Sequence, residues 1–177
     1  MEEIRLKNDE TSIKLRRSEK TLSLSGVGVL MFAVWSILQT LMTFTLNHKF
    51  IEQTVDELSS MEDWGIILSW VTMMVVFVLG MLFDLVSRYY IFKAANAEAK
   101  GKKKGVFYLI LSAVIMFVYL LIIAFESFAA RLTLESEGLF DTFAAMFFSV
   151  ASLVVTADLF VAGIRVKVLR KKQAKEV

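Results

Sequence analysis

Three carboxylates stand inside or at the rim of long apolar runs, and their type and setting suit them to proton or cation chemistry. Asp84 closes the run WGIILSWVTMMVVFVLGMLF and precedes Arg88 by four positions. Asp158 interrupts the run 142–164, and Glu126 follows the run 105–125. An ionised carboxylate within a bilayer costs about 2.5 to 3.5 kcal/mol unless it is paired, hydrated or protonated, so such an acid marks an ion or proton site by default. Asp84 and Arg88 fall on adjacent turns of one helix and can neutralise each other. Asp158 has no base within a turn and reaches Arg165 only two turns on. Asp84, Asp158, Arg88 and Thr156 are therefore the candidate ion or proton site. Ser23, Ser25, Ser87 and Ser112 are hydroxyls that could line a vestibule beside it. Glu126, at the far end of its run, reads as an interfacial carboxylate in water.

Other chemistries find no residues to carry them. The chain has no cysteine, which removes disulfides and thiolate metal sites. His48 is the one histidine, so paired haem ligands and a histidine-activated nucleophile are missing. The glycines of SGVGV lack the lysine and strand context of a phosphate loop. No enzyme, cofactor or metal is expected.

The elements that must position these acids are four apolar runs, in a chain with 56% apolar and 21% charged residues. About twenty apolar residues rising about 1.5 Å each match the roughly 30 Å hydrocarbon core of a bilayer. Helices are expected over about 21–46, 64–91, 105–126 and 142–166. Loops fall at 47–63, 92–104 and 127–141, with a tail at 1–20 and a basic tail at 167–177. The alanine-rich start of the 92–104 segment favours continuing the second helix into it, as far as a turn between Gly101 and Gly105. A signal peptide does not fit the first run, whose uncharged stretch 22–46 is longer than a signal core. The bases segregate strictly: six before the first run, one between first and second, six from Arg88 to Lys104, one between third and fourth, and six from Arg165 onward. By the positive-inside rule both termini are cytoplasmic. Short connections then give an all-α integral membrane protein, an up-down-up-down bundle of four transmembrane helices. Its place is a cell membrane, read as a bacterial cytoplasmic membrane.

Helix faces carry the remaining information. Ser36, Gln39, Thr40 and Thr43 form a polar stripe in the first run, and Tyr108, Ser112, Ile115, Tyr119, Ile122 and Glu126 a seam in the third. Ala145, Ser149, Ser152, Thr156 and Gly163 form a small-residue stripe in the fourth, with Asp158 about 100° or more away from it. Such stripes let helices approach closely and hydrogen-bond in lipid. Gln39, Ser112, Tyr119 and Glu126 are the polar members expected at packing seams. Ile51, Val55, Leu58 and Met61 suggest an amphipathic helix on the outer surface, and Trp64 and Trp70 an aromatic belt. Lys102, Lys103 and Lys104, between Gly101 and Gly105, suit anionic lipid headgroups at the cytoplasmic face. Nucleic acid is excluded for want of a base-stacking platform. The expected role is a non-enzymatic accessory or structural membrane component, with lipid, itself or another membrane protein as partner. The alternative is a small proton- or cation-coupled transporter or channel using Asp84 and Asp158.

Overall fold

The computed structural model describes residues 2–46, 64–132 and 139–176. They form four helices, α1 (Glu2–Leu46), α2 (Trp64–Ala99), α3 (Phe107–Leu132) and α4 (Leu139–Glu176), and no strand among the described residues. Each is long and apolar enough to cross a membrane. Only 17% to 33% of the residues in each apolar stretch are buried within the protein, so most of each stretch faces outward, which is compatible with a multi-pass membrane protein. The expected surface helix at 47–63 lies outside the described residues, as do the side chains of Trp64, Trp70, Thr40, Thr43 and Glu126.

Three helices run well past the lengths read from hydropathy. With 45, 36 and 38 residues, α1, α2 and α4 measure about 68, 54 and 57 Å, against a bilayer core of roughly 30 Å. Residues 1–20, expected as a tail, belong to α1 from Glu2 onward. Leu15 packs on the core and Glu10 pairs with Lys14 at 2.6 Å, one turn apart. The apolar run of α2 ends near 91, and the helix continues to Ala99 as its alanine-rich sequence favours, burying Ile91, Ala94 and Ala95. Helix α4 continues to Glu176 instead of ending at 166. The expected loop 127–141 is shortened from both sides, by α3 running to Leu132 and α4 starting at Leu139.

The end of α2 is built by Gly101, whose φ of 87° places it in the left-handed region. Its N–H donates to the Glu98 carbonyl at 3.0 Å, and the Lys102 N–H to the Ala97 carbonyl at 3.1 Å. These are the paired bonds of a Schellman stop, which a glycine makes without steric cost. The exposed lysines 102–104 follow directly.

The chain divides into two compact units, Met1–Val29 with Tyr89–Val177, and Leu30–Arg88. The core of the first joins Leu22 and Val29 of α1, Ile91, Ala94 and Ala95 of α2, Tyr108, Leu109 and Ile115 of α3, and Leu159, Ala162 and Val166 of α4. Helices α3 and α4 pack along one another, and the start of α3 meets the C-terminal half of α4, so this pair runs antiparallel. In the second unit, Val75, Val76, Leu79, Leu82 and Phe83 turn outward, while Arg88 is buried.

Candidate functional site

The polar residues that gather most closely were not among the acids singled out by hydropathy. They sit in the first unit where α1, α2 and α4 pass the ends of their apolar runs. Glu98, in the last turns of α2, is 2% exposed, and its Oε1 lies 3.2 Å from Lys167 Nζ of α4. Lys167 also donates to the Lys104 carbonyl at 2.8 Å and stands 5.5 Å from the centre of the Tyr108 ring. One helical turn on, Arg170 pairs with Glu19 of α1 at 2.6 Å and donates to the Glu98 backbone carbonyl. That carbonyl is at a helix C-terminus, where partial negative charge collects and a cation is favoured. Ser23 of α1 donates to the Asn96 side-chain oxygen at 3.4 Å. Two acids and two bases therefore tie α1, α2, the 100–106 turn and α4 together, with no net charge left over.

Close approach at this cluster depends on Gly163. A Cβ there would lie 2.6 Å from Leu109 Cδ2 and 2.8 Å from the Tyr108 hydroxyl oxygen. The small-residue stripe of α4 thus leads, turn by turn, from Ser149, Ser152 and Thr156 through Gly163 to Lys167 and Arg170. Three buried polar atoms in the cluster have no hydrogen-bond partner: Glu98 Oε2, the Tyr108 hydroxyl and Arg170 Nη1. The Tyr108 hydroxyl interacts electrostatically with Glu98 without meeting it in hydrogen-bond geometry.

The acids picked from sequence are placed differently. Arg88 Nε lies 2.9 Å from the Asp84 carboxylate, joining a base 2% exposed to an acid 37% exposed within one helix. This pair belongs to the second unit, whereas Asp158 and Thr156 belong to the first. Thr156 is fully buried and donates to the Ser152 carbonyl at 2.8 Å. Asp158, two residues on, is exposed, so the two do not share a face. Ser112 is likewise buried and donates to the Tyr108 carbonyl at 2.7 Å. Both hydroxyl protons are thereby spent on their own helices. Tyr119 and Gln39 are half-buried and make interactions of their own. Glu126 lies in α3, with its side chain outside the described set. Lys102, Lys103 and Lys104 are exposed, and of the three the Lys104 carbonyl takes the Lys167 ammonium.

Among the described residues, no group of three or more His, Cys, Asp or Glu side chains is arranged to hold a metal ion. The site's capacity is electrostatic: a buried Glu98 and the partly buried Glu19, Lys167 and Arg170, paired so that they hold helix ends in register. Comparison with family models, with curated proteins and with solved structures returned no match.

Proposed function

We propose that this protein is a multi-pass membrane protein acting as a non-enzymatic accessory or structural component, through helix faces and lipid contacts, with both termini in the cytoplasm of a bacterial cell. The observation that carries this reading is the Glu19, Glu98, Lys167 and Arg170 tie. Ionic groups removed in part from water that neutralise one another and a helix C-terminus contribute a fixed arrangement of helices more than net stability. The helices tied in this way expose long apolar faces on their other sides, which suit lipid and other transmembrane helices. Strict alternation of basic and acidic connections supports the orientation.

A second reading, proton- or cation-coupled transport, is favoured by one feature, the buried Glu98 with an unpartnered oxygen near an unpartnered tyrosine hydroxyl. The two readings separate in proteoliposomes loaded with a pH-sensitive dye. On the structural reading, proton and monovalent-cation leak equals that of empty vesicles, and neither Asp158→Asn nor Glu98→Gln alters it. A protein-dependent flux that disappears in Asp158→Asn or Glu98→Gln contradicts the structural reading and supports transport.

A further inference from the structure

Between the N-terminal part of α1 and α4, which both belong to the first unit, lies a groove of about 460 Å³ that the ion-pair cluster does not use. One wall is apolar, formed by Ile164 and Val168, which are 41% and 48% exposed. The other elements are cationic or polar: Lys14, Arg17 and Ser18 from α1 and Arg165 from α4. Lys14 is engaged by Glu10 at 2.6 Å. Among the described residues, the guanidinium groups of Arg17 and Arg165 have neither an ion pair nor a hydrogen-bonded side chain. Two positive charges without counter-ions therefore face one apolar-walled groove, which calls for an amphipathic anion.

Its depth in the chain identifies the kind of anion. Arg165 is the first base after the apolar run of α4, and Arg17 stands five residues before the apolar run of α1 begins at Leu22. On the membrane-spanning reading, on which this inference rests, both guanidiniums sit at headgroup level with Ile164 and Val168 at the edge of the acyl region. Arginine forks bind phosphate oxygens in pairs, and a guanidinium gives up its water more readily than an ammonium. We propose that this groove is a binding site for one anionic phospholipid, its phosphate held by Arg17 and Arg165 with Ser18 as a further donor, and an acyl chain laid on Ile164 and Val168. The specific lipid contact then belongs to this arginine pair, while Lys102–Lys104 contribute a diffuse field with no groove behind them.

Native mass spectrometry of the full chain, exchanged between phosphatidylglycerol and phosphatidylcholine, tests the proposal. The intact protein and the triple variant Lys102→Gln, Lys103→Gln, Lys104→Gln are expected to retain phosphatidylglycerol preferentially. Arg17→Gln with Arg165→Gln should reduce that preference about 25-fold, since each base near an anionic surface contributes about a factor of five. Val168→Asp, which adds a repelling charge at an exposed position, should reduce it with both arginines intact. Glycerol phosphate at millimolar concentration should not displace the lipid, because it lacks the chain that occupies the apolar wall. Undiminished preference in both the arginine and Val168 variants overturns the site. Displacement by glycerol phosphate assigns the groove to free phosphates and overturns the lipid. Failure of the unaltered chain to enter bilayers of either composition contradicts the membrane reading itself, a result distinct from loss of selectivity.

Discussion

The Glu98 and Lys167 pair offers the sharpest mutational test, because its two partners are buried to different degrees. Glu98→Gln leaves the Lys167 ammonium without its acid, yet Lys167 is 26% exposed and keeps the Lys104 carbonyl and the Tyr108 ring. The expected loss is about 2 kcal/mol, at the low end for breaking a buried pair because water reaches the remaining charge. Lys167→Met is expected to cost more, about 3 to 5 kcal/mol, because the Glu98 side chain is 3% exposed and its carboxylate would be left without this cation. The double variant removes both charges and should recover about 1.5 to 3 kcal/mol relative to the sum of the single losses. At roughly 2 to 4 °C per kcal/mol for a chain of this size, Glu98→Gln lowers the melting temperature by about 4 to 8 °C. Reversible unfolding in mixed micelles, followed by fluorescence of the native tryptophans, supplies the free energies. A double variant whose loss equals the sum of the single losses within about 0.5 kcal/mol would refute the coupling.

Gly163→Ala should lower stability by about 1 to 3 kcal/mol through collision with Leu109 and the Tyr108 hydroxyl, whereas Gly80→Ala, with nothing near its added carbon, should be neutral or raise stability by up to about 1 kcal/mol. Equal melting temperatures for these two variants would contradict the close approach of α3 and α4. Gly101→Ala should cost about 1 to 2 kcal/mol, since φ of 87° suits glycine alone, and hydrogen exchange at Lys102 should quicken as its bond to Ala97 weakens. Asp84→Asn should cost about 1 to 3 kcal/mol by removing the counter-charge of the buried Arg88, while Asp158→Asn, at an exposed position, should leave the unfolding free energy within about 0.5 kcal/mol of the unaltered chain. A larger loss for Asp158→Asn than for Asp84→Asn would reverse the ranking.

Features that depend on near neighbours in the chain were legible before any coordinates. Four apolar runs became four helices, Gly101 closed the second of them, and the i,i+4 spacing of Asp84 and Arg88 became an ion pair. Hydropathy marks where an apolar run ends, not where a helix stops, so the continuations of α1 and α4 were missed. The alanines of AANAEAK did announce that α2 continues past its apolar run. Glu98 was missed because its partners are 69 and 72 positions away, at Lys167 and Arg170, and no local period announces a pair made between helices. One clue was available. The small-residue stripe of α4, extended past Gly163 by the same steps of three and four, arrives at Lys167 and Arg170. A stripe that buries Thr156 was bound to bury part of whatever charge came next on that face. The same geometry separates Asp158 from Thr156, since two residues turn a helix by about 200°.

Orientation in the membrane is the central claim, and the absence of native cysteine allows it to be measured without background. Single variants Ser59→Cys and Gly138→Cys report on the two acidic connections, and Lys103→Cys and Ala174→Cys on the basic turn and the end of α4. In intact cells, a membrane-impermeant maleimide should label the first two, and the latter two only after the membrane is opened with detergent. Labelling of Lys103→Cys or Ala174→Cys in unopened cells would contradict the cytoplasmic placement of the ion-pair cluster and of the lipid groove beside it.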